Sequence, residues 1–390
     1  MSSLGIYIFI VQIGTDDYGW KIGKDGGTAR HISNFIIDCY RGLKNLELRD
    51  LNDINILTGN NNSGKTSVLE LLSSLENPEN IFTWIKMCRL PRNGNLYAGI
   101  LNLFPTNSDC LEIKYAYNHS GFRSIKMSAV VEELRILESE IDKMNGRELA
   151  DAVGKEDDYL DVKRLNLEIA TGISESIEYL LYDFQTKVPI VKSTQKSLSA
   201  VYISPSAHTD GKLLLDEVME SPELYQEMMK ILREFDDSIL NIVKSGNGAE
   251  YMILSKKFKK AMPLGAYGDG MKKALALLAA VVKAKDGILL LDEFETAIHT
   301  SAMNHIFSWI LQSARKLKVQ VFLSSHSLEA IGKVLRCDAT LQDKINLYTL
   351  YNKEGKSLVR RMSCQEAVKA QEDWGVELRD LSAKGDKQTR

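Results

Sequence analysis

Gly59-Asn60-Asn61-Asn62-Ser63-Gly64-Lys65-Thr66 sets a glycine, four residues and a second glycine ahead of a Lys-Thr pair. These residue types in this order can make a phosphate cradle. Backbone N–H groups of such a turn converge on one point, and the N-terminus of the following helix adds its partial positive charge. Gly59 and Gly64 permit the tight path and the close approach of a phosphate. The Lys65 ammonium can reach β- and γ-phosphates, and the Thr66 hydroxyl can ligate Mg²⁺ before Ser67 continues into the helix. The bland alternative is an Asn- and Gly-rich turn ahead of a helix. It does not require every one of these positions to be filled at once.

Two further stretches carry chemistry. Ile288-Leu289-Leu290-Leu291-Asp292-Glu293 is an apolar run ending in two carboxylates. Such a run suits a central parallel strand covered on both faces, and the C-terminal ends of those strands are where ligands bind. Asp292 fits a Mg²⁺-holding acid, and Glu293 fits a general base that orients an attacking water. Val319 to Leu323 is a second apolar run, and it leads to Ser324-Ser325-His326-Ser327. His326 at a strand end can hydrogen-bond a γ-phosphate or place a water, or it can be a capped loop histidine. Gly268 and Gly270 precede a predicted helix from about Met271 to Lys285. That is a second anion-cradle geometry, facing outward toward the phosphates of another subunit. A plain helix start is the simpler reading of a lone Gly-x-Gly.

The elements needed to hold these groups are legible around them. Ile54 to Thr58 reads as a buried strand feeding the loop, and Ser67 to Leu72 as the start of a helix. Asn34 to Asp38 and Tyr40 to Leu48 read as two strands around a turn, with Tyr40 or Arg41 open to a nucleotide base or to the surface. Residues 111–127 read as a hairpin, as do Leu165 to Ile169 with Ile177 to Leu181. Val130, Leu134, Leu137, Ile141 and Met144 recur at helical spacing, so an amphipathic helix is expected there. Ala200 to Ser204 reads as a strand, with helices over Leu213 to Met219 and Pro222 to Leu232. Gly246-Asn247-Gly248 marks a turn between two strands. Lys256-Lys257-Phe258-Lys259-Lys260 sets four lysines around an aromatic residue. It can track phosphates, or it can be a solvated edge whose lysines block strand pairing.

The chain of 390 residues is 44% hydrophobic and 26% charged, which is globular composition with ample core. A net charge of −3 gives no global drive toward nucleic acid or an anionic membrane. The five cysteines form no Cys-x-x-Cys pair, which excludes a zinc ribbon and suits reduced thiols in a cytoplasmic setting. Leu4 to Ile13 is apolar but too short to span a bilayer and lacks basic residues before it. No membrane partner is expected.

The order of phosphate loop, glycine segment, Leu-Leu-Leu-Asp-Glu and Ser-Ser-His-Ser resembles ABC-type ATPase heads. In detail the chain is similar to the OLD (overcoming lysogenization defect) and SMC-like ATPases of bacterial anti-phage defence. The residues that carry this are Asn61 to Ser67, Tyr267-Gly268-Asp269-Gly270-Met271, Asp292 to His299, and Gln320-Val321-Phe322 leading to Ser325-His326-Ser327. The resemblance spans roughly 34–350. It implies an α/β P-loop NTPase head with a mostly parallel central sheet flanked by helices, an antiparallel β subdomain and a helical insertion. It also implies ATP and Mg²⁺ as ligands and ATP hydrolysis, with two heads closing head to tail as a homodimer or larger homo-oligomer. Each site would join Lys65, Thr66, Asp292, Glu293 and His326 of one copy to Gly268 and Gly270 of the other.

The chain departs from these relatives in its glycine segment, which is not Leu-Ser-Gly-Gly and has Tyr267 where Ser is usual. It has no long coiled-coil arm, and no run of acidic metal ligands follows His326. A separate nuclease-like effector is therefore the expected partner, with nucleic acid itself as the alternative. The expected organisation is an extension over 1–34, an ATPase domain over 35–350 with a helical insertion at about 128–160, and a tail over 351–390.

Overall fold

The computed structural model describes residues 30–88, 95–105, 111–145, 158–172, 176–185, 198–205, 212–245, 250–267, 269–296 and 300–379. The extension over 1–29 and the Gly246-Asn247-Gly248 turn lie outside them. The chain divides into two compact units. One holds the described residues of Phe35–Glu47 and Ser74–Ser197; the other holds those of Lys24–Asn34, Leu48–Ser73 and Leu198–Arg390.

In the first unit, period-two alternation builds an antiparallel sheet. Its strands run in the order Leu43–Leu48, Phe35–Tyr40, Leu111–Asn118, Phe122–Leu137, Tyr159–Thr171 and Ile177–Tyr182. Ile113, Tyr115, Ile125, Met127, Leu165 and Ile169 point inward and are buried. Tyr115 is fully buried between Phe35 and Trp84, with ring centroids at 5.7 and 6.4 Å, and its hydroxyl meets that of Ser74. Tyr40 is also fully buried, so it is a core residue rather than a surface one.

The amphipathic helix expected over 130–144 is strand as far as Leu137 and helix from Glu138 on. Phe122–Leu137 pairs along its length with Tyr159–Thr171, from Ile125 opposite Thr171 to Leu137 opposite Tyr159. Glu132–Arg164, Glu133–Lys163 and Arg135–Asp161 form cross-strand ion pairs in this register. Only Glu138–Met144 is helical, with Ile141 buried. Among its described residues the expected helical insertion is thus strand of an antiparallel ribbon plus one short helix. A Val-Val and Leu-x-Ile-Leu run satisfies both periods, and a strand partner more than twenty residues away decided between them.

The second unit carries the chemical stretches. Its sheet runs Lys356–Ser363, Ile345–Lys353, Ile54–Thr58, Gln320–Ser324, Ile288–Leu291 and Ala200–Ile203. Every pairing is parallel except the edge pair of Lys356–Ser363 with Ile345–Lys353. Ile54–Thr58, Gln320–Ser324 and Ile288–Leu291 are buried at every position, as expected of strands covered on both faces. Helices at Lys65–Ser73, Asp269–Lys283, Thr300–Lys316, Leu328–Leu335 and Cys364–Trp374 belong to this unit. Helices over Lys212–Glu220 and Pro222–Phe235 match the two expected there, the second capped by Ser221. A small antiparallel sheet of Ile239–Lys244, Tyr251–Ser255 and Met262–Pro263 completes it.

The described residues on either side of the expected ATPase domain are tied to its sheet. Gln320 is wholly buried; its carboxamide accepts the N–H groups of His31 and Ile32 and donates to the carbonyls of Ile32 and Asn52. Residues 30–34 are therefore joined to the sheet. Of the tail over 351–390, the described residues run to Arg379. It supplies the edge strand and the helix Cys364–Trp374, which opens on a Ser363–Glu366 capping box and stops at Gly375 in a left-handed conformation. The Thr349 hydroxyl then donates to the Leu378 carbonyl at 2.8 Å.

Candidate phosphate-binding site

The loop after Ile54–Thr58 has the backbone that its glycines predict. Gly59 has φ +139°, Asn62 +62° and Gly64 +96°. At Gly59 a side chain has no room: a Cβ would lie 2.1 Å from the Leu350 carbonyl oxygen and 2.8 Å from Ser63 Oγ. The Ser63 amide closes the turn on the Asn60 carbonyl at 3.2 Å, and Val68 N–H bonds Gly64 O at 3.0 Å as the helix begins. Lys65 is buried to 9% exposure, and its ammonium donates to Gly59 O at 2.8 Å and Asn60 O at 3.0 Å. The Ser63 and Thr58 hydroxyls are buried and have no hydrogen-bond partner among the described residues. Thr66 lies in the first turn of Lys65–Ser73, beside Lys65.

Sheet order brings the other groups to this loop. Gln320–Ser324 lies between the loop strand and Ile288–Leu291, with Ser324 opposite Leu57 and Leu323 opposite Leu291. The three chemical stretches therefore leave adjacent strands at the same end. Asp292 is 3% exposed, and its carboxylate accepts from the Tyr202 hydroxyl at 3.1 Å and from Ser324 Oγ. Burial pushes the Lys65 ammonium pKa down, while the negative charges of Asp292, Glu293 and Glu295 push it back up. Carboxylates and lysine thus occupy one electrostatic site.

Glu293 has φ +47°, a left-handed backbone uncommon for a residue with a side chain. Its N–H donates to Ser324 Oγ at 2.9 Å, and its carbonyl accepts from Thr296 N–H and Oγ1, each at 2.9 Å. This turn aims the side chain at His326, whose Nδ1 lies 3.9 Å from Glu293 Oε1 and 3.5 Å from Glu295 Oε1. Sequence reasoning missed three members of the site: Ser324, Tyr202 and Glu295. Ser324 and Tyr202 are polar residues at or near the ends of apolar strands, which was the available signal. Glu295 looks in sequence like one more charge after Glu293.

Gly270 lies in the first turn of Asp269–Lys283, as its spacing suggested, and Gly268 lies outside the described residues. Tyr267 ends the 3-10 turn Leu264–Tyr267, with its ring edge-on to Phe258 at 6.2 Å between centroids.

Among the described residues no group of three or more His, Cys, Asp or Glu side chains could hold a metal ion. The donors present are the Thr66 hydroxyl and the Asp292 carboxylate. Such a sparse all-oxygen set suits Mg²⁺, which keeps waters and takes its remaining ligands from phosphates. The glycine cradle, whose space a Cβ would fill, and the unpartnered Ser63 hydroxyl likewise fit a phosphate chain.

A phosphate loop at the C-terminal edge of a mostly parallel, helix-flanked sheet, with two carboxylates two strands over, defines the class of α/β phosphate-binding domains. Residues 54–332 match the family described as "AAA domain, putative AbiEii toxin, Type IV TA system", and the chain belongs to that family. An "ATP/GTP phosphatase" of Helicobacter pylori is 22% identical over 328 residues, 78% of this chain and 88% of that protein. "Uncharacterized protein MJECL11" of Methanocaldococcus jannaschii is 32% identical over 114 residues, 29% of this chain and 98% of that protein. Among solved structures, an SMC head bound to the C-winged helix domain of ScpA gives a TM-score of 0.46 at 11% identity, covering 87% of this chain and all of the other. The SMC head domain from Thermotoga maritima gives 0.42 at 11% identity, covering 86% of this chain and all of the other.

Proposed function

We propose that this chain is a Mg²⁺-dependent ATPase whose heads pair, and that it is the sensing or scaffolding subunit of a bacterial anti-phage defence complex controlling a separate nuclease-like effector. The observation that carries the ATPase reading is the side-by-side exit of the Gly59–Thr66 loop, Asp292–Glu293 and His326 from three adjacent parallel strands. Membership of the AAA-domain family supports it, as does the name of the Helicobacter relative.

In this reading the loop amides and Lys65 bind the β- and γ-phosphates, and Lys65 leaves the loop carbonyls to do so. Thr66 and Asp292 hold Mg²⁺, which when bound offsets the charge of the phosphate oxygens. Glu293 accepts a proton from the attacking water, and His326 contacts the γ-phosphate or that water. Gly268 and Gly270 of a second copy complete each site, so that ATP clamps two heads together. The setting is cytoplasmic; among the described residues no helix is long and apolar enough to cross a membrane.

The test is binding and turnover of ATP with Mg²⁺ by the purified chain, beside Lys65→Ala. Saturable binding and hydrolysis that Lys65→Ala abolishes support the reading, and a wild-type chain without affinity for ATP ends it. Co-purification with a neighbouring gene product tests the effector.

A second reading, direct action on nucleic acid, is supported by one loop. Lys256, Lys257, Phe258, Lys259 and Lys260 are all exposed, Phe258 to 48%, and Lys257 is paired with Asp236. Salt-sensitive DNA binding by the isolated chain, lost on changing these lysines, would favour it.

A further inference from the structure

Glu295 has no role in the chemistry set out above, yet it holds His326 more closely than Glu293 does. It lies in the 3-10 turn Phe294–Thr296. One carboxylate oxygen accepts the backbone N–H of His326 at 3.2 Å and stands 3.5 Å from the ring nitrogen Nδ1. From the other side, Arg379 Nη1 donates to the His326 carbonyl at 3.0 Å. The histidine is thus gripped at its amide, its carbonyl and one edge of its ring. The Glu295 side chain is 13% exposed, against 40% for Glu293. Its second oxygen is buried and has no hydrogen-bond partner among the described residues. Burying a carboxylate this way costs free energy unless it serves a neighbour that needs the charge.

A carboxylate beside one imidazole nitrogen decides which nitrogen carries the proton and how the ring is aimed. We propose that Glu295 is the positioning residue for His326: it fixes the histidine backbone and keeps a proton on Nδ1, leaving Nε2 as the ring atom that meets a terminal phosphate or an attacking water. Glu293, more exposed and 3.9 Å from Nδ1, remains available to the water. The proposal rests on the ATPase reading for its consequence, but its structural content does not depend on turnover.

The experiment uses the full chain with ¹⁵N-labelled histidine and long-range ¹H–¹⁵N spectra, the His326 signals being assigned by their loss in His326→Ala. Wild type should show a protonated Nδ1 at His326. Glu295→Ala, and to a smaller extent Glu295→Gln, should shift the ring toward the Nε2–H tautomer. In parallel, Glu295→Ala should lower kcat roughly ten- to a hundredfold, as loss of an outer-shell partner does, with ATP affinity unchanged. The double variant with His326→Ala should be no slower than His326→Ala alone, since both residues act through one ring. An unchanged tautomer in a folded Glu295 variant overturns the proposal, as do losses that simply add. If Glu295→Ala fails to fold, the spectra of Glu295→Gln decide. If wild type hydrolyses no ATP, the functional reading falls while the spectra still judge Glu295.

Discussion

The Ser324 hydroxyl donates to the Asp292 carboxylate and accepts the N–H of Glu293, so one side chain from a neighbouring strand sets both strand-end acids. Ser324→Ala removes both bonds and leaves the Glu293 amide without its acceptor in a left-handed conformation. The expected stability loss is about 1–2 kcal/mol, the cost of an unmet, partly buried donor. Hydrolysis should fall by about tenfold or more as Asp292 loses an orienting partner. Denaturant titration and steady-state ATPase rates check the two effects separately.

Glu293→Gln preserves the turn, because the backbone bonds to Ser324 and Thr296 do not involve the carboxylate. The variant should bind ATP with Mg²⁺, hydrolyse it slowly and accumulate as a closed dimer on size-exclusion chromatography with ATP. A normal turnover rate would remove Glu293 from the base role.

Gly59 and Gly121 provide a matched pair. Both have a φ that side-chain-bearing residues almost never adopt, +139° and +131°. A Cβ at Gly121 meets nothing within 4 Å, whereas one at Gly59 collides with the Leu350 carbonyl. Both alanine variants should carry about 1–3 kcal/mol of backbone strain. Only Gly59→Ala should also lose nucleotide binding and melt at a clearly lower temperature than Gly121→Ala. Thermal melts with and without ATP make the comparison.

Asp338 caps the 3-10 helix Ala339–Lys344. Thr340, backed by Gln312 and Ser308, holds its carboxyl pKa down at about 2. The folded pKa lies below the unfolded value, so the charged form stabilises the fold. That contribution is complete above roughly pH 4, the ordinary carboxylate range, and is lost as the pH falls toward about 2. Asp338→Asn should therefore be less stable than wild type at pH 6, with the gap closing as the pH is lowered through this window. Denaturation midpoints across pH measure it, and a gap independent of pH would show that the charge is not responsible.

Much of the site could be read directly because its signals are local. Gly59 to Thr66, Asp292–Glu293 and His326 are short runs in which residue type and spacing already state the chemistry, and the apolar strands before them announce burial. The helical period over 130–137 misleads because eight residues of mixed aliphatic and charged character fit strand and helix alike until Tyr159–Thr171 is paired against them. The strand Lys356–Ser363 and the helix Cys364–Trp374 are not legible in the tail because their anchors, the edge of Ile345–Lys353 and the Thr349 hydroxyl, lie outside it.

What the amino-acid sequence determined alone was the inventory: a loop that can hold phosphate, acids that can hold Mg²⁺ and move a proton, and a histidine at a strand end. Tertiary structure decided the arrangement: which strand lies between loop and acids, that Ser324 serves both acids, and that Glu295 rather than Glu293 stands nearest to His326 Nδ1. The reason is physical. Residue chemistry and short-range backbone preference travel with the local sequence, whereas strand order and register arise from burying distant segments against one another, and no single segment contains that information.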